Sequence, residues 1–148
     1  MKLLVAIDGS DESNRALAAA VEIATATDGS ITLIHAIEPD IYDAGGGEPV
    51  TATERSDRLI IDSLNSAEEH GESILDEAIA FANQLGVDVS GELRYGRPAQ
   101  TITDFAEEGN FEAIYLGDRG MSERTVSFLG SVARDVVERA SVPVMVVR

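Results

Sequence analysis

Apolar runs alternate with amphipathic stretches along the whole chain. Because the runs are apolar on both faces or nearly so, they are typical of buried parallel strands, and we predict strands over 2–7, 31–37, 87–94, 111–117 and 142–147. Between them, apolar residues recur at spacings of three and four, which predicts helices over 11–27, 51–85, 98–109 and 131–140. Strands that alternate with helices in this way form a parallel sheet covered on both faces.

Punctuating residues refine the helices. Ser10 or Asp11 can cap the first helix, and Thr51 with Glu54 resembles a capping box that opens the second. Gly71 is expected to break or kink that long helix, so its first half is less strongly predicted. The prediction is one domain over 1–148: a three-layer, doubly wound α/β sandwich with a five-stranded parallel sheet of order 3-2-1-4-5.

This fold places a ligand before any side chain is considered. Open parallel sheets bind ligands beyond the carboxyl ends of the strands, where the strand order reverses. In the order 3-2-1-4-5 the reversal lies between the first and fourth strands, which end at Asp8 and Gly117. The site is therefore expected between these two residues.

A glycine pattern follows the fourth strand. Gly117, two residues, Gly120, nine residues and then Gly130-Ser131 lead into the last helix. Glycines permit close approach of a ligand, and the first amides of a helix lack intrahelical partners and attract anions. Each glycine alone has an ordinary structural explanation, but their joint spacing at the reversal point predicts bare main-chain amides that bind a phosphorylated ligand.

Composition and charge narrow the class of partner. The chain has 11 basic and 27 acidic residues, a net charge of −16, which argues against nucleic acid as a partner. Lys2 is the only lysine, so we favour a protein adapted to concentrated salt over a merely acidic one. There is no cysteine and no apolar stretch of the roughly 20 residues that a membrane helix needs. We expect no membrane association and a cytoplasmic location.

The glycine spacing, together with VAIDGS at 5–10 and SVPVMVVR at 141–148, resembles the universal stress protein family over nearly the whole chain. The resemblance implies the 3-2-1-4-5 sheet, a homodimer and, for members with this glycine spacing, ATP binding. A homodimer through the C-terminal strand, 142–148, is also expected because an apolar edge strand invites pairing.

Carried over position by position, the resemblance implies a nucleotide site. Asp8 would contact the nucleoside or, with the phosphates, a Mg²⁺ or Mn²⁺ ion. The remaining implied nucleotide-binding residues are Ala6, Ala36, Leu116, Gly117, Arg119, Gly120, Gly130, Ser131 and Val132. Asp118 stands where many members have a small polar residue, and its carboxylate would repel phosphate or bind a cation or a ribose hydroxyl. ATP, ADP and AMP stay open as the ligand.

Several alternatives accompany this interpretation. Asp8 is also a credible structural partner of the first helix cap, and His35 is interpreted as a core or pocket-wall residue rather than a catalyst. The triple glycine at 45–47 lacks the lysine of a P-loop and is interpreted as a flexible loop, with a flap over the nucleotide as one role for it. The leading function is an ATP-binding regulatory module without catalytic residues. The alternative is a slow ATPase or nucleotidyl-transfer enzyme. The sequence offers no obvious general base, which argues against this alternative.

Overall fold

The computed structural model describes residues 1–38, 54–118 and 129–148, and of residues 54–63 only the helical backbone. Its strands are β1 (Lys2–Ala6), β2 (Ser30–Ile37), β3 (Val89–Tyr95), β4 (Ala113–Gly117) and β5 (Val144–Val147). Its helices are α1 (Asp11–Thr27), α2 (Glu54–Gln84), α3 (Pro98–Glu108) and α4 (Ser131–Arg139). None of the described helices is both long enough and apolar enough to cross a membrane. The capping box at Thr51 and the triple glycine at 45–47 lie outside the described residues.

The five strands form one parallel sheet of order β3-β2-β1-β4-β5, which confirms the predicted topology. β1 is central, with Leu4 paired to Thr32 of β2 and to Ile114 of β4. The sheet therefore reverses its winding between β1 and β4, as the sequence predicts.

Two apolar cores flank the sheet, because successive residues of a strand point to opposite faces. Leu3 and Val5 pack with α1 and α2 on one face, whereas Leu4 packs with α3 and α4 on the other. Leu3, Leu4 and Val5 are fully buried, as a central parallel strand requires. This arrangement is the predicted three-layer sandwich.

The strand boundaries differ from the predicted ones by up to two residues, for identifiable reasons. β3 begins at Val89 rather than at Val87, because the Val87 amide bonds to the Ala82 carbonyl (3.1 Å) at the end of α2. β4 begins at Ala113 rather than at Phe111, because the Phe111 amide bonds to the Ala106 carbonyl (2.9 Å) at the end of α3. Both amides close a helix instead of joining the sheet.

Gly71 does not break α2, since the helix is one element from Glu54 to Gln84; of the predicted break or kink, the break is therefore wrong. A Cβ at residue 71 would lie 2.8 Å from Leu93 Cδ1 and 3.0 Å from His35 Cδ2. The glycine instead lets the helix pack closely on β2 and β3, and that packing outweighs its low helix propensity.

Candidate functional site

A cavity of about 240 Å³ opens beyond the carboxyl ends of β1 and β4, where the sheet reverses. Its volume is somewhat below the range of ~300–1,000 Å³ that is typical of small-molecule sites. Its walls come from β1, β2, β4, the start of α3 and the start of α4. The lining residues are Ala6, Ile7, Asp8, Ser13, Ile34, His35, Ala36, Glu38, Pro98, Ile102, Leu116, Gly117, Asp118, Gly130, Ser131, Val132 and Ala133.

The turn after β1 brings Asp8 to the cavity and holds it there. Asp8 Oδ1 accepts hydrogen bonds from the Ser10 amide (2.9 Å) and the Ser10 hydroxyl (2.5 Å). Ser10 Oγ in turn accepts from the Ser13 amide (3.1 Å) and thereby caps α1. The carboxylate of Asp8 thus supports the cap of α1 through Ser10, which is the structural role offered as an alternative above. The same residue also lines the cavity, as the predicted binding role requires.

Gly117 ends β4 against the first turn of α1. A Cβ at residue 117 would lie 2.7 Å from Glu12 Cβ, 2.8 Å from the Glu12 carbonyl carbon and 2.9 Å from the Ser13 amide nitrogen. The glycine spacing in the sequence predicts close approach of a ligand to this residue. On the side where a Cβ would stand, what approaches closely is the backbone of α1.

Asp118 is buried (3% exposed) in the wall of the cavity. Its carboxylate Oδ2 lies 3.4 Å from Nε of the exposed Arg148. Its amide bonds to the Val147 carbonyl and its carbonyl accepts from the Gly130 amide, each at 2.8 Å. These contacts join the end of β4 to β5 and to the residue that precedes α4.

The same contacts correct one part of the sequence prediction. The amides between residues 117 and 132 were expected to be bare, but those of Asp118 and Gly130 are bonded to main-chain carbonyls. α4 begins its own ladder with the Arg134 amide bonding to the Gly130 carbonyl (2.9 Å). The amides of Val132 and Ala133 precede this ladder and lie at the positive end of the helix, in the cavity wall.

His35 lies in the opposite wall, on β2. Its Nδ1 bonds to the Ile7 carbonyl (2.7 Å), which only accepts, so Nδ1 carries the proton. The ring packs on Gly71 of α2, whose missing side chain makes room for it. His35 is thus the hydrogen-bonded pocket-wall histidine that the sequence analysis expected, and it holds β2 and the end of β1 together.

The structure brings eight of the ten predicted nucleotide-binding residues to this one cavity: Ala6, Asp8, Ala36, Leu116, Gly117, Gly130, Ser131 and Val132. Arg119 and Gly120 lie outside the described residues. The wall that α3 provides through Pro98 and Ile102 was not predicted from the sequence. The sequence did hold a signal for this wall: α3 is predicted to begin directly after β3, at the edge of the sheet where the site is expected.

The cavity wall is acidic. Asp8, Asp118 and Glu38 contribute carboxylates, and none of the described lining residues is lysine or arginine. Nor does the described part of the chain hold a group of three acidic or histidine side chains able to bind a metal ion. A cation at Asp8 would therefore need most of its ligands from a bound molecule or from water.

A crevice at the reversal point of an open parallel sheet, flanked by helices on both faces, defines a three-layer, doubly wound α/β protein. The chain belongs to the universal stress protein family, whose family model matches residues 1–148. It is 33% identical to the universal stress protein YxiE of Bacillus subtilis over 154 residues, which covers 99% of this chain and 98% of the relative.

Solved structures agree with this assignment. The fold is similar to that of universal stress protein UspA from Lactobacillus plantarum, with a TM-score of 0.82, 24% identity and coverage of 100% of this chain and 97% of that one. The fold is also similar to that of a universal stress protein from Archaeoglobus fulgidus that was solved in complex with dAMP. The TM-score is 0.67 and the identity 28%, and the match covers 100% of this chain and 98% of the A. fulgidus chain.

Proposed function

We propose that this protein is a regulatory module that binds an adenine nucleotide, with ATP as its ligand, in the cavity between β1 and β4. The observation that carries the proposal is the convergence of three chain segments, 6–8, 116–118 and 130–133, on one cavity at the reversal point. The A. fulgidus relative that binds dAMP supports the choice of an adenine nucleotide.

The chemistry of the walls fits the parts of such a ligand. Ala6 and Ala36 leave room beside the strands for a flat base, since their side chains are small. Ribose hydroxyls are donors, and Asp8 is an acceptor suited to them. The helix end at Ser131 and Val132 is suited to a phosphate, because its amides and dipole favour negative charge by about 0.3–1 kcal/mol per charge.

A divalent cation, Mg²⁺ or Mn²⁺, belongs to the same proposal. A triphosphate brings several negative charges to a wall that already holds the carboxylates of Asp8, Asp118 and Glu38. A bound cation would offset this repulsion. Oxygen ligands from phosphates with one or two carboxylates are the set that Mg²⁺ usually takes, and Asp8 is the side chain we assign to it.

A charge placed at the helix end tests the phosphate assignment. Ser131→Glu introduces a carboxylate where we place the phosphate, and glutamate at a helix start is itself favourable, so α4 should persist. The matched control is Ser141→Glu, at an exposed serine that does not line the cavity. We expect Ser131→Glu to weaken AMP and ATP binding about tenfold or more, measured by calorimetry.

The outcomes of this experiment are distinct. Control and wild type should bind with affinities that agree within about twofold, since a surface charge far from the site is largely screened. Equal effects of the two substitutions would refute the phosphate position, and a wild type that binds no adenine nucleotide would refute the function. Incubation of the complex distinguishes a module, which returns intact ATP, from the alternative of a slow ATPase or nucleotidyl transferase, which accumulates ADP or AMP.

We propose a homodimer that pairs through 142–148. β5 lies at one end of the sheet, where Met145 is 50% exposed and Val137 of the neighbouring helix is 47% exposed. Pairing with a second copy would cover this apolar edge. Light scattering should show that Met145→Lys yields monomers, whereas Leu85→Lys, a control at another exposed apolar residue, leaves dimers. Dimers in both variants would place the interface elsewhere.

We further propose that the acidic surface adapts the protein to concentrated salt. The net charge of −16 repels itself at low ionic strength and is screened when salt is added. The free energy of unfolding should rise between about 0.2 M and about 2 M KCl, and a flat or falling curve would favour a merely acidic protein. The cytoplasmic location stays a prediction from the sequence.

A further inference from the structure

A second cavity of about 320 Å³ adjoins the first, along the groove between the start of α3 and one face of α4. The two cavities share the wall formed by Glu38, Pro98, Ser131 and Val132. A ligand group that leaves the first cavity past the start of α4 therefore enters the second without crossing the protein interior.

Two guanidinium groups distinguish the second cavity from the first. Arg97 directly precedes α3, and Arg139 lies in the last turn of α4; both line the second cavity. Neither forms an ion pair with a carboxylate of the residues that the structure describes. In a chain with 11 basic residues against 27 acidic ones, two arginines that lack such a pair at one cavity are available to bind an anion.

The helix geometry explains how α4 contributes. Ser131, Asp135 and Arg139 stand four residues apart, so they follow one another along a single face of the helix. Helical side chains lean toward the helix start, which directs the Arg139 side chain back along this face toward the shared wall. The helix face thus runs from the first cavity to a guanidinium in the second.

We propose that the second cavity is a subsite for the terminal phosphates of a nucleoside polyphosphate, recognised by Arg97 and Arg139. The proposal rests on the function proposed above and adds a specificity to it: the number of phosphates. Guanidinium groups bind phosphate oxygens in pairs through parallel N–H donors, and no cationic side chain is among the described lining residues of the first cavity.

The carboxylates of Glu38 and Asp135 in the same cavity leave it neutral overall. The selectivity comes instead from the length of the ligand. A monophosphate that ends at Ser131 does not extend to the arginines of the second cavity, whereas the terminal phosphates of a triphosphate do. The arginines therefore matter for ATP and not for AMP.

Single substitutions of the two arginines test the subsite. Arg97→Gln and Arg139→Gln each remove one charge from an exposed side chain, so the fold should persist. The matched control is Arg134→Gln, which changes the net charge equally on α4 at a residue that lines neither cavity. We measure the dissociation constants of AMP and of ATP with Mg²⁺ by calorimetry, with circular dichroism to verify folding.

We expect each of the two substitutions to weaken ATP binding about five- to tenfold and to leave AMP binding within about twofold, whereas Arg134→Gln leaves both within about twofold. If wild type binds both nucleotides and the ratio of the two affinities is unchanged in Arg97→Gln and Arg139→Gln, the subsite is refuted while the proposed function stands. If Arg134→Gln changes the ratio equally, general charge explains it and the subsite is also refuted. If wild type binds neither nucleotide, both proposals fail together.

Discussion

The contact between Gly117 and α1 leads to a quantitative prediction for Gly117→Ala. The new Cβ would lie 2.7 Å from Glu12 Cβ, 2.8 Å from the Glu12 carbonyl carbon and 2.9 Å from the Ser13 amide nitrogen. Ordinary contact begins at 3.4 Å, so the first turn of α1 must retreat by as much as 0.7 Å, the difference between 3.4 and 2.7 Å. Two of the three atoms are backbone, and a rotamer change therefore does not relieve the clash.

The cost of this substitution follows from two opposing effects. Overpacking of a well-packed interior costs about 1–3 kcal/mol, and we take the upper part, about 2–3 kcal/mol, because backbone must move. Replacement of glycine by alanine also restricts the unfolded chain, which offsets about 0.4–1 kcal/mol. The free energy of unfolding should thus fall by about 1–2.5 kcal/mol, equivalent to a melting temperature lower by about 2–10 °C at about 2–4 °C per kcal/mol.

Urea denaturation followed by far-UV circular dichroism measures the difference, with salt held constant. Gly91→Ala is the control: its Cβ would lie 3.3 Å from Ile79 Cδ1, the end of a flexible side chain, and its backbone is not left-handed. We expect this variant to be as stable as wild type or slightly more stable, since glycine weakens a strand. If Gly117→Ala also matched wild type within about 0.5 kcal/mol, close packing of α1 on β4 would not explain the glycine.

Three further predictions concern single side chains. Ser10→Ala removes the cap of α1 and the donor to Asp8, so calorimetric unfolding should show a loss of about 1–2 kcal/mol; no loss would mean that the cap is redundant. Lys2→Met removes the Nζ donor to the Gly109 carbonyl and the cation 4.4 Å from the centre of the Phe111 ring. The free energy of unfolding should fall by about 1 kcal/mol in the same assay, and an unchanged value would mean that the only lysine has no structural role. Asp118→Asn removes a negative charge from the cavity wall and should tighten ATP binding about threefold; weaker binding in titrations would show that the carboxylate instead binds a ribose hydroxyl or a cation.

The segments that converge on the cavity had strong local signals in the sequence. Asp8 follows a run of apolar residues, and Gly130-Ser131 precedes an amphipathic stretch. The end of β1 and the start of α4 could therefore be predicted from periodicity alone. The strand order then brings both ends to one edge, because parallel strands share a direction. Because both predicted ends meet at this edge, the position of the cavity could be predicted from the sequence.

The structural role of individual glycines could not be predicted from local periodicity. Gly117 belongs to a spacing that suggests a ligand, yet the atoms nearest to its missing Cβ belong to Glu12 and Ser13. Gly71 suggests a helix break, yet it admits His35 and Leu93. In both cases the neighbour is distant along the chain, and only the packed structure reveals what occupies the space beside a glycine.

The sequence by itself determined the order of strands and helices, the two-sided burial of β1 and the edge of the sheet where a ligand can bind, because these follow from local periodicity and from the shared direction of parallel strands. Only the tertiary structure decided which amides are already bonded, as those of Asp118 and Gly130 are, and that Arg97 and Arg139 line one cavity. Hydrogen bonds and cavities depend on distances between segments far apart in the chain, and residue spacing carries no such distances.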